Sequence, residues 1–215
     1  MYLIKSNFLF KLFYPGRLWK LPAVFAGENK KVLYLSFDDG PHPEATPFAL
    51  KTLKAFNAKA TFFCLGKNVQ QYPAIYQQIL SDGHSVGNHS FNHLNGWKSS
   101  TEDYIDDIRK AAKLIDSPLF RPPYGRMRSK QQNALLAAMP KTRVVMWDLL
   151  SGDFDIHITA EKCIRNVQKY SQPGSIIVFH DSTKAWERMQ AALPATLAYF
   201  TQKGYIFKGI PMDVQ

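Results

Sequence analysis

From residue 31 to residue 210 short, β-rich apolar runs alternate with helix patterns, and this alternation restricts the fold more than any other feature. The run "KVLYLSF" (31–37) reads as a buried strand, followed by a helix over 45–56. "KATFFCLG" (59–66) is a second strand, and "NVQQYPAIYQQILSDG" (68–83) is a helical pattern closed by a glycine stop. "HSVGNHS" (84–90) is a short strand. The helix over 101–116 opens on Ser100 or Thr101 as cap, with acidic residues in its first turn. "PLFRPPYG" (118–125) gives a brief strand and a proline-stiffened loop, and 129–139 is helical. "TRVVMWDLL" (142–150) is a strand, and a helix over 159–171 is capped by Thr159. "GSIIVFHD" (174–181) is a strand, 185–204 a helix interrupted at Pro194, and 205–210 a last strand. About seven βα units without a low-complexity linker or a repeat predict an α/β fold: a parallel sheet, open or closed into a barrel.

In either architecture, reactive groups gather at the carboxyl ends of the strands. The polar residues fall there. Asp38 and Asp39 close the first strand; His89 and His93 follow the third; Arg121 and Tyr124 follow the fourth. Asp148 and Asp153 follow the fifth, and His180 and Asp181 end the sixth. Two histidines spaced i, i+4 can converge from a helical turn or a compact loop, and neutral imidazole is a common zinc ligand. One carboxylate completes a three-residue site with an open position for water, whose pKa such a metal lowers toward about 7. Of two adjacent aspartates leaving a strand, one then binds the cation and the other faces the water, and the cation offsets their repulsion. Taken singly, HxxxH, DDG or an arginine before two prolines is more often structural. Their order on successive strand ends is what points to a site.

The motifs "SFDDGP", "HSFNH", "RPPYG", "WDLLSGDF" and "VFH" together resemble the five motifs of the polysaccharide deacetylase family, the NodB-like carbohydrate esterases, over residues 32–207. The resemblance implies a distorted, incomplete (β/α) barrel and a metal-dependent hydrolase. It implies Asp38 as general base, and Asp39, His89 and His93 as metal ligands. Arg121 would pair with Asp38, and the backbone N–H of Tyr124 would stabilise the oxyanion. Asp153 would keep His180 protonated as the acid, while Phe154 and Val178 would line the acetyl pocket. The family's usual threonine in the first motif is Ser36 here, its usual tryptophan in the fourth is Phe154, and its usual leucine in the fifth is Val178. None of these removes a reacting group; they bear on pocket shape. Asp148 is left without a role, since the family pattern points to Asp153.

The implied reaction is removal of N-acetyl groups from N-acetylglucosamine units of an acetylated glycan, peptidoglycan or a chitin-type oligomer. An O-acetyl esterase or small-amide hydrolase with the same site remains an alternative, as does a non-catalytic glycan binder. Zinc is the expected metal, with cobalt, manganese or nickel compatible. Trp97, just beyond the histidines, is a candidate platform for a sugar ring, its alternative being a loop residue folded into the core.

At 215 residues, 46% hydrophobic and 20% charged, the chain has the composition of a folded domain rather than a disordered one. Its formal charge of +10 raises nucleic acid as a partner. Half of that excess, however, lies in the first 31 residues, and no aromatic-basic repeat accompanies it, so no nucleic-acid partner is expected. Residues 1–30 read as a basic, partly apolar segment ahead of a catalytic domain spanning 31–215. Lys5 and Lys11 break its apolar run, which makes a poor signal-peptide core. Packing on the domain is expected in preference to peripheral contact of "SNFLFKLFY" with a membrane, and a cytoplasmic or membrane-peripheral location in preference to secretion. Cys64 reads as a core residue; whether it pairs with Cys163 is open.

Overall fold

The structure, a computed structural model, describes residues 3–6, 12–21 and 31–212. Much of the apolar run "SNFLFKLFY" thus lies outside the described residues. The strands are β1 (Arg17–Leu18), β2 (Lys31–Asp38), β3 (Ala60–Cys64), β4 (Ser85–Asn88), β5 (Leu119–Phe120), β6 (Arg143–Val145), β7 (Leu149–Leu150), β8 (Ile176–His180) and β9 (Tyr205–Phe207). Eight run side by side in the order β1-β6-β5-β4-β3-β2-β8-β7, and every pairing is parallel. Strand β9 pairs with the start of β2, Lys31 opposite Tyr205. The sheet curls into an incomplete barrel with helices outside, as the βα alternation requires.

Helices α1 (Ala45–Ala55), α2 (Gly66–Gln71), α3 (Pro73–Ser81), α4 (Thr101–Ala112), α5 (Ser129–Ala138), α6 (Ala160–Tyr170) and α7 (Trp186–Gln202) cover its outer face. Strand β2 is buried on both faces. Leu33, Leu35 and Phe37 pack outward in the main cluster with Ala49, Leu53, Met189 and Leu197 of α1 and α7. Val32 and Tyr34 point inward with Phe63, Leu119, Val145 and Ile176. Each such fully buried side chain contributes about 1.5–3 kcal/mol. Continuing the inward alternation places Ser36 and Asp38 at the barrel mouth.

Three expectations change. The helical pattern over 68–83 divides at Tyr72, because the residue before Pro73 is pushed out of the helical region (φ −125°, ψ 58°) and the proline opens a new helix. Helix α7 runs through Pro194 without a break; Gln190, whose carbonyl loses its partner, lies on the exposed side. The run 142–150 is two strands, not one. Strand β6 pairs with β5 and β7 pairs with β8, at opposite sides of the barrel's open seam, and Met146–Asp148 crosses between them.

The described parts of the N-terminal segment lie along that seam. Arg17 and Leu18 pair with Val144 and Val145 of β6. On the other side, Lys5 bridges Leu149, and Leu150 N–H donates to the Ile4 carbonyl at 2.8 Å. Among the described residues no helix is long and apolar enough to cross a membrane. Cys64 and Cys163 are both buried free thiols.

Candidate metal centre and active site

The turn after β2 fixes the two aspartates differently. Asp38 still belongs to the strand and points into the mouth. Asp39 adopts a positive φ of 80°, rare for a side-chain-bearing residue, and so leaves the strand's alternation. The turn is held from three sides. Asn68 Nδ2 donates to the Asp39 carbonyl at 2.7 Å, and Leu65 N–H to the Gly40 carbonyl at 2.9 Å. The buried Asp181 carboxylate accepts from Gly40 N–H at 3.1 Å and from the Thr46 hydroxyl at 2.5 Å. A Cβ on Gly40 would come within 2.0 Å of Asp181, so no other residue fits there. Burial pushes the Asp181 carboxyl up to about 8.

The histidines come from the loop after β4, where Ser90 (φ 67°) and His93 (φ 62°) bend the chain tightly. Asn88 Oδ1 accepts from Ser90 N–H at 2.7 Å, and Ser90 Oγ accepts from His93 N–H at 3.0 Å. Asp107 of α4 accepts from Phe91 N–H, Asn92 N–H and Asn92 Nδ2, each within 2.9 Å. His89 Nδ1 lies 2.7 Å from the Arg121 carbonyl, which can only accept. The proton is therefore on Nδ1, and Nε2 presents its lone pair.

His93 Nε2 lies 3.2 Å and His89 Nε2 3.6 Å from Asp39 Oδ1, and the three ligand atoms are all within 4.8 Å of one another. Ligands about 2.0–2.1 Å from a tetrahedral ion lie about 3.3–3.4 Å apart, so the set fits a divalent metal. Asp39 Oδ1 is buried and has no hydrogen-bond partner, an atom that a cation would satisfy. Burial, reinforced by His93, drives His89 down to about 3, and burial also lowers His93 against the pull of Asp39 and Asp38. Both imidazoles are thus neutral ligands at ordinary pH.

Beside this set, Asp38 Oδ1 accepts from Arg121 Nη1 at 2.6 Å. Arg121 is fully buried and spans the mouth from β5. It also donates to Ser36 Oγ at 2.8 Å and to the Val145 and Met146 carbonyls, with its guanidinium over the Phe63 ring. A charge this buried is tolerable only because nearly every N–H has an acceptor. The Pro123–Gly125 turn then places Tyr124 at φ 57°. Gly125 N–H and Arg126 N–H close that turn on Pro122 and Pro123, while the Tyr124 N–H takes no part in it. The Tyr124 ring packs 4.5 Å from His93.

On the opposite lip, the Asp153 carboxylate accepts from His180 Nδ1 at 2.9 Å and from His180 N–H at 2.7 Å. Burial alone would push His180 down. The Asp153 charge and hydrogen bond outweigh it, Asp39 and Asp38 add to them, and His180 is held up at about 9. Arg188 Nε donates to the Asp153 carbonyl at 2.7 Å and fixes the loop. Phe154 packs edge-on against His180 at 5.1 Å, and Val178, one alternation below His180, is buried opposite Ser36.

All the sequence-derived site residues except Trp97 and Asp148 thus meet at one mouth. Trp97 is 50% exposed on the rim rather than folded into the core, and carries the Arg126 guanidinium 4.8 Å above its ring. Asp148 lies away from the mouth, accepting from Ser175 Oγ at 2.6 Å before β8 begins, which is a structural position.

Supporting residues that the sequence reading did not assign are Asp107, Asp181, Asn88 and Arg188. Asp107 carried a legible signal: it falls on the α4 face that buries Tyr104, Ile108 and Ala111, where an acid needs a partner.

The sequence profile described as polysaccharide deacetylase matches residues 26–142. The chain belongs to the polysaccharide deacetylase family. A peptidoglycan-N-acetylglucosamine deacetylase of Bacillus cereus is 33% identical over 194 residues, 88% of each chain. A chitooligosaccharide deacetylase of Azorhizobium caulinodans is 34% identical over 161 residues, 72% of this chain and 75% of that one. The crystal structure of the Bc1960 peptidoglycan N-acetylglucosamine deacetylase, in complex with 4-naphthalen-1-yl-N-oxidanyl-benzamide, superposes with a TM-score of 0.81 at 29% identity, covering 96% of this chain and 95% of that one. Members of this family generally depend on a divalent metal, which the Asp39–His89–His93 set of this polysaccharide deacetylase fits.

Proposed function

We propose that this polysaccharide deacetylase is a zinc-dependent hydrolase that removes N-acetyl groups from N-acetylglucosamine residues of a peptidoglycan or chitin-type glycan. The observation that carries the reading is the meeting, at one mouth, of an unsatisfied His2Asp ligand set, the Asp38–Arg121 pair and the His180–Asp153 pair. The substrates named for its relatives support the choice of glycan. When bound by Asp39, His89 and His93, zinc supplies Lewis acidity and lowers the pKa of coordinated water.

The chain's own residues do the rest. Asp38, held in place by the Arg121 guanidinium, takes a proton from the water that adds to the acetyl carbonyl carbon. The Tyr124 N–H faces the oxygen on which charge collects. His180, protonated through Asp153, gives its proton to the amide nitrogen as the C–N bond breaks, leaving acetate and the amino sugar. Val178 and Phe154 enclose the acetyl methyl.

The test is release of free acetate from chitooligosaccharides and peptidoglycan by zinc-loaded protein. Asp38→Ala should lower kcat/KM by about 10²–10⁴-fold. Metal-loaded protein that frees no acetate from any acetylated glycan would end this reading.

A further inference from the structure

Three of the chain's four tryptophans line a single cavity of about 250 Å³. Trp97 comes from the rim of the mouth, Trp147 from the Met146–Asp148 crossing, and Trp19, with Tyr14 and Ser6, from the N-terminal segment that lies along the seam. That segment precedes the span matched by the family profile. Tyr124 forms part of the same wall, which joins the cavity to the proposed reaction centre. A Cβ on Gly125 would lie 2.4 Å from the Trp147 ring, so the glycine allows that indole to lie directly against the Tyr124 turn.

The chemistry of the wall narrows the occupant. Five aromatic rings line it beside Arg17 and Arg126, whose guanidinium groups lie over the Tyr14 and Trp97 rings, and two of its residues carry buried polar atoms with no hydrogen-bond partner, Trp19 Nε1 and Ser6 Oγ. An acyl chain would leave both unsatisfied. A pyranose ring has an apolar C–H face and a rim of hydroxyls, and so matches rings and polar atoms together. The volume lies just below the about 300–1,000 Å³ usual for ligand pockets and suits one ring rather than a chain.

We propose that this cavity is a sugar-binding subsite. It holds the ring next to the one whose acetyl group is removed, and the N-terminal segment forms one of its walls. The identity of the glycan rests on the deacetylase reading above; the existence of the subsite does not.

The probes are chitotetraose and isolated peptidoglycan strands, titrated into the full, metal-loaded chain carrying Asp38→Asn, with tryptophan emission as readout. The expected result is a saturable emission shift that survives Trp186→Phe, since Trp186 packs on Phe48. Trp19→Phe combined with Trp147→Leu should raise Kd for the tetrasaccharide about 10-fold and that for N-acetylglucosamine less than about 2-fold. If emission stays unchanged with a glycan from which wild-type protein releases acetate, the subsite is overturned and the deacetylase reading stands. If wild-type protein turns over no acetylated glycan but chitotetraose still gives the saturable shift, the deacetylase reading falls and the subsite stands.

Discussion

The two lips of the mouth are built on opposite electrostatic plans. On the ligand lip, Asp39 and His93, both at positive φ, converge with His89, and the carboxylate oxygen they surround has no partner. On the acid lip, both Asp153 carboxylate oxygens accept from the one histidine, one from its ring Nδ1 and one from its backbone N–H. The first arrangement is finished only by a cation. The second already carries its positive charge as a proton. A site that must activate water and also protonate a leaving amine needs both, and the barrel keeps them apart by raising them on different strands.

The sharpest way to break this contrast is to remove the cation's side. Asp39→Asn or His93→Ala should abolish metal-induced thermal stabilisation, which for the wild type is about 2.7 kcal/mol at a metal concentration of 100 Kd. Acetate release should fall with it by more than about 10³-fold, followed in the same preparations. His89 is depressed to about 3 and so stays unprotonated well below the ordinary histidine value of 6.5, and burial lowers His93 as well. Metal should therefore remain bound at pH values where exposed histidine pairs release it, as dialysis and metal analysis across pH would show.

A smaller effect is expected on the acid lip. Asp153→Asn should lower kcat about 10–100-fold while metal binding is retained. The wild type needs His180 protonated, a state held below about 9 and lost as pH rises through it. Removing the Asp153 charge lets that value fall, so the alkaline limb of the kcat profile should move to lower pH in the variant. An unmoved limb would show that His180 is not the acid.

The smallest effect tests the site's border. Asp148→Asn should cost stability of about 1 kcal/mol through its bond to Ser175 and leave kcat unchanged, measured by denaturant melts beside initial rates.

Much of the site was legible because its polar residues interrupt apolar strands at their carboxyl ends, where a parallel sheet gathers them. Asp38, His89, Arg121 and His180 could be found without knowing any distance. The supports were harder. Asp107 looks like one more solvated acid in "EDYIDDIRK" until the buried stripe of α4 is drawn, and Asp181 is tied to Gly40 only by two strands meeting. The split of 142–150 has no local signal at all. "RVVMWDLL" contains neither glycine nor proline, and the break exists because the barrel's two open sides need separate strands. The seam pairing of the N-terminal segment is equally non-local, and its basic composition says nothing about it. The Tyr72 break, by contrast, was written in the proline that follows.

That seam has a consequence for assembly. Arg17 finds its ladder partner in Val144, and Lys5 bridges Leu149, so neither can engage until most of the sequence has been synthesised and the other strands have closed ranks. The segment is thereby a late fastener, whose amides should exchange with deuterium sooner than those of β2 and β8. Unlatched, it would bare two lengths of unsatisfied ladder on the flanks of an otherwise finished barrel, an invitation for a second molecule's strand to dock.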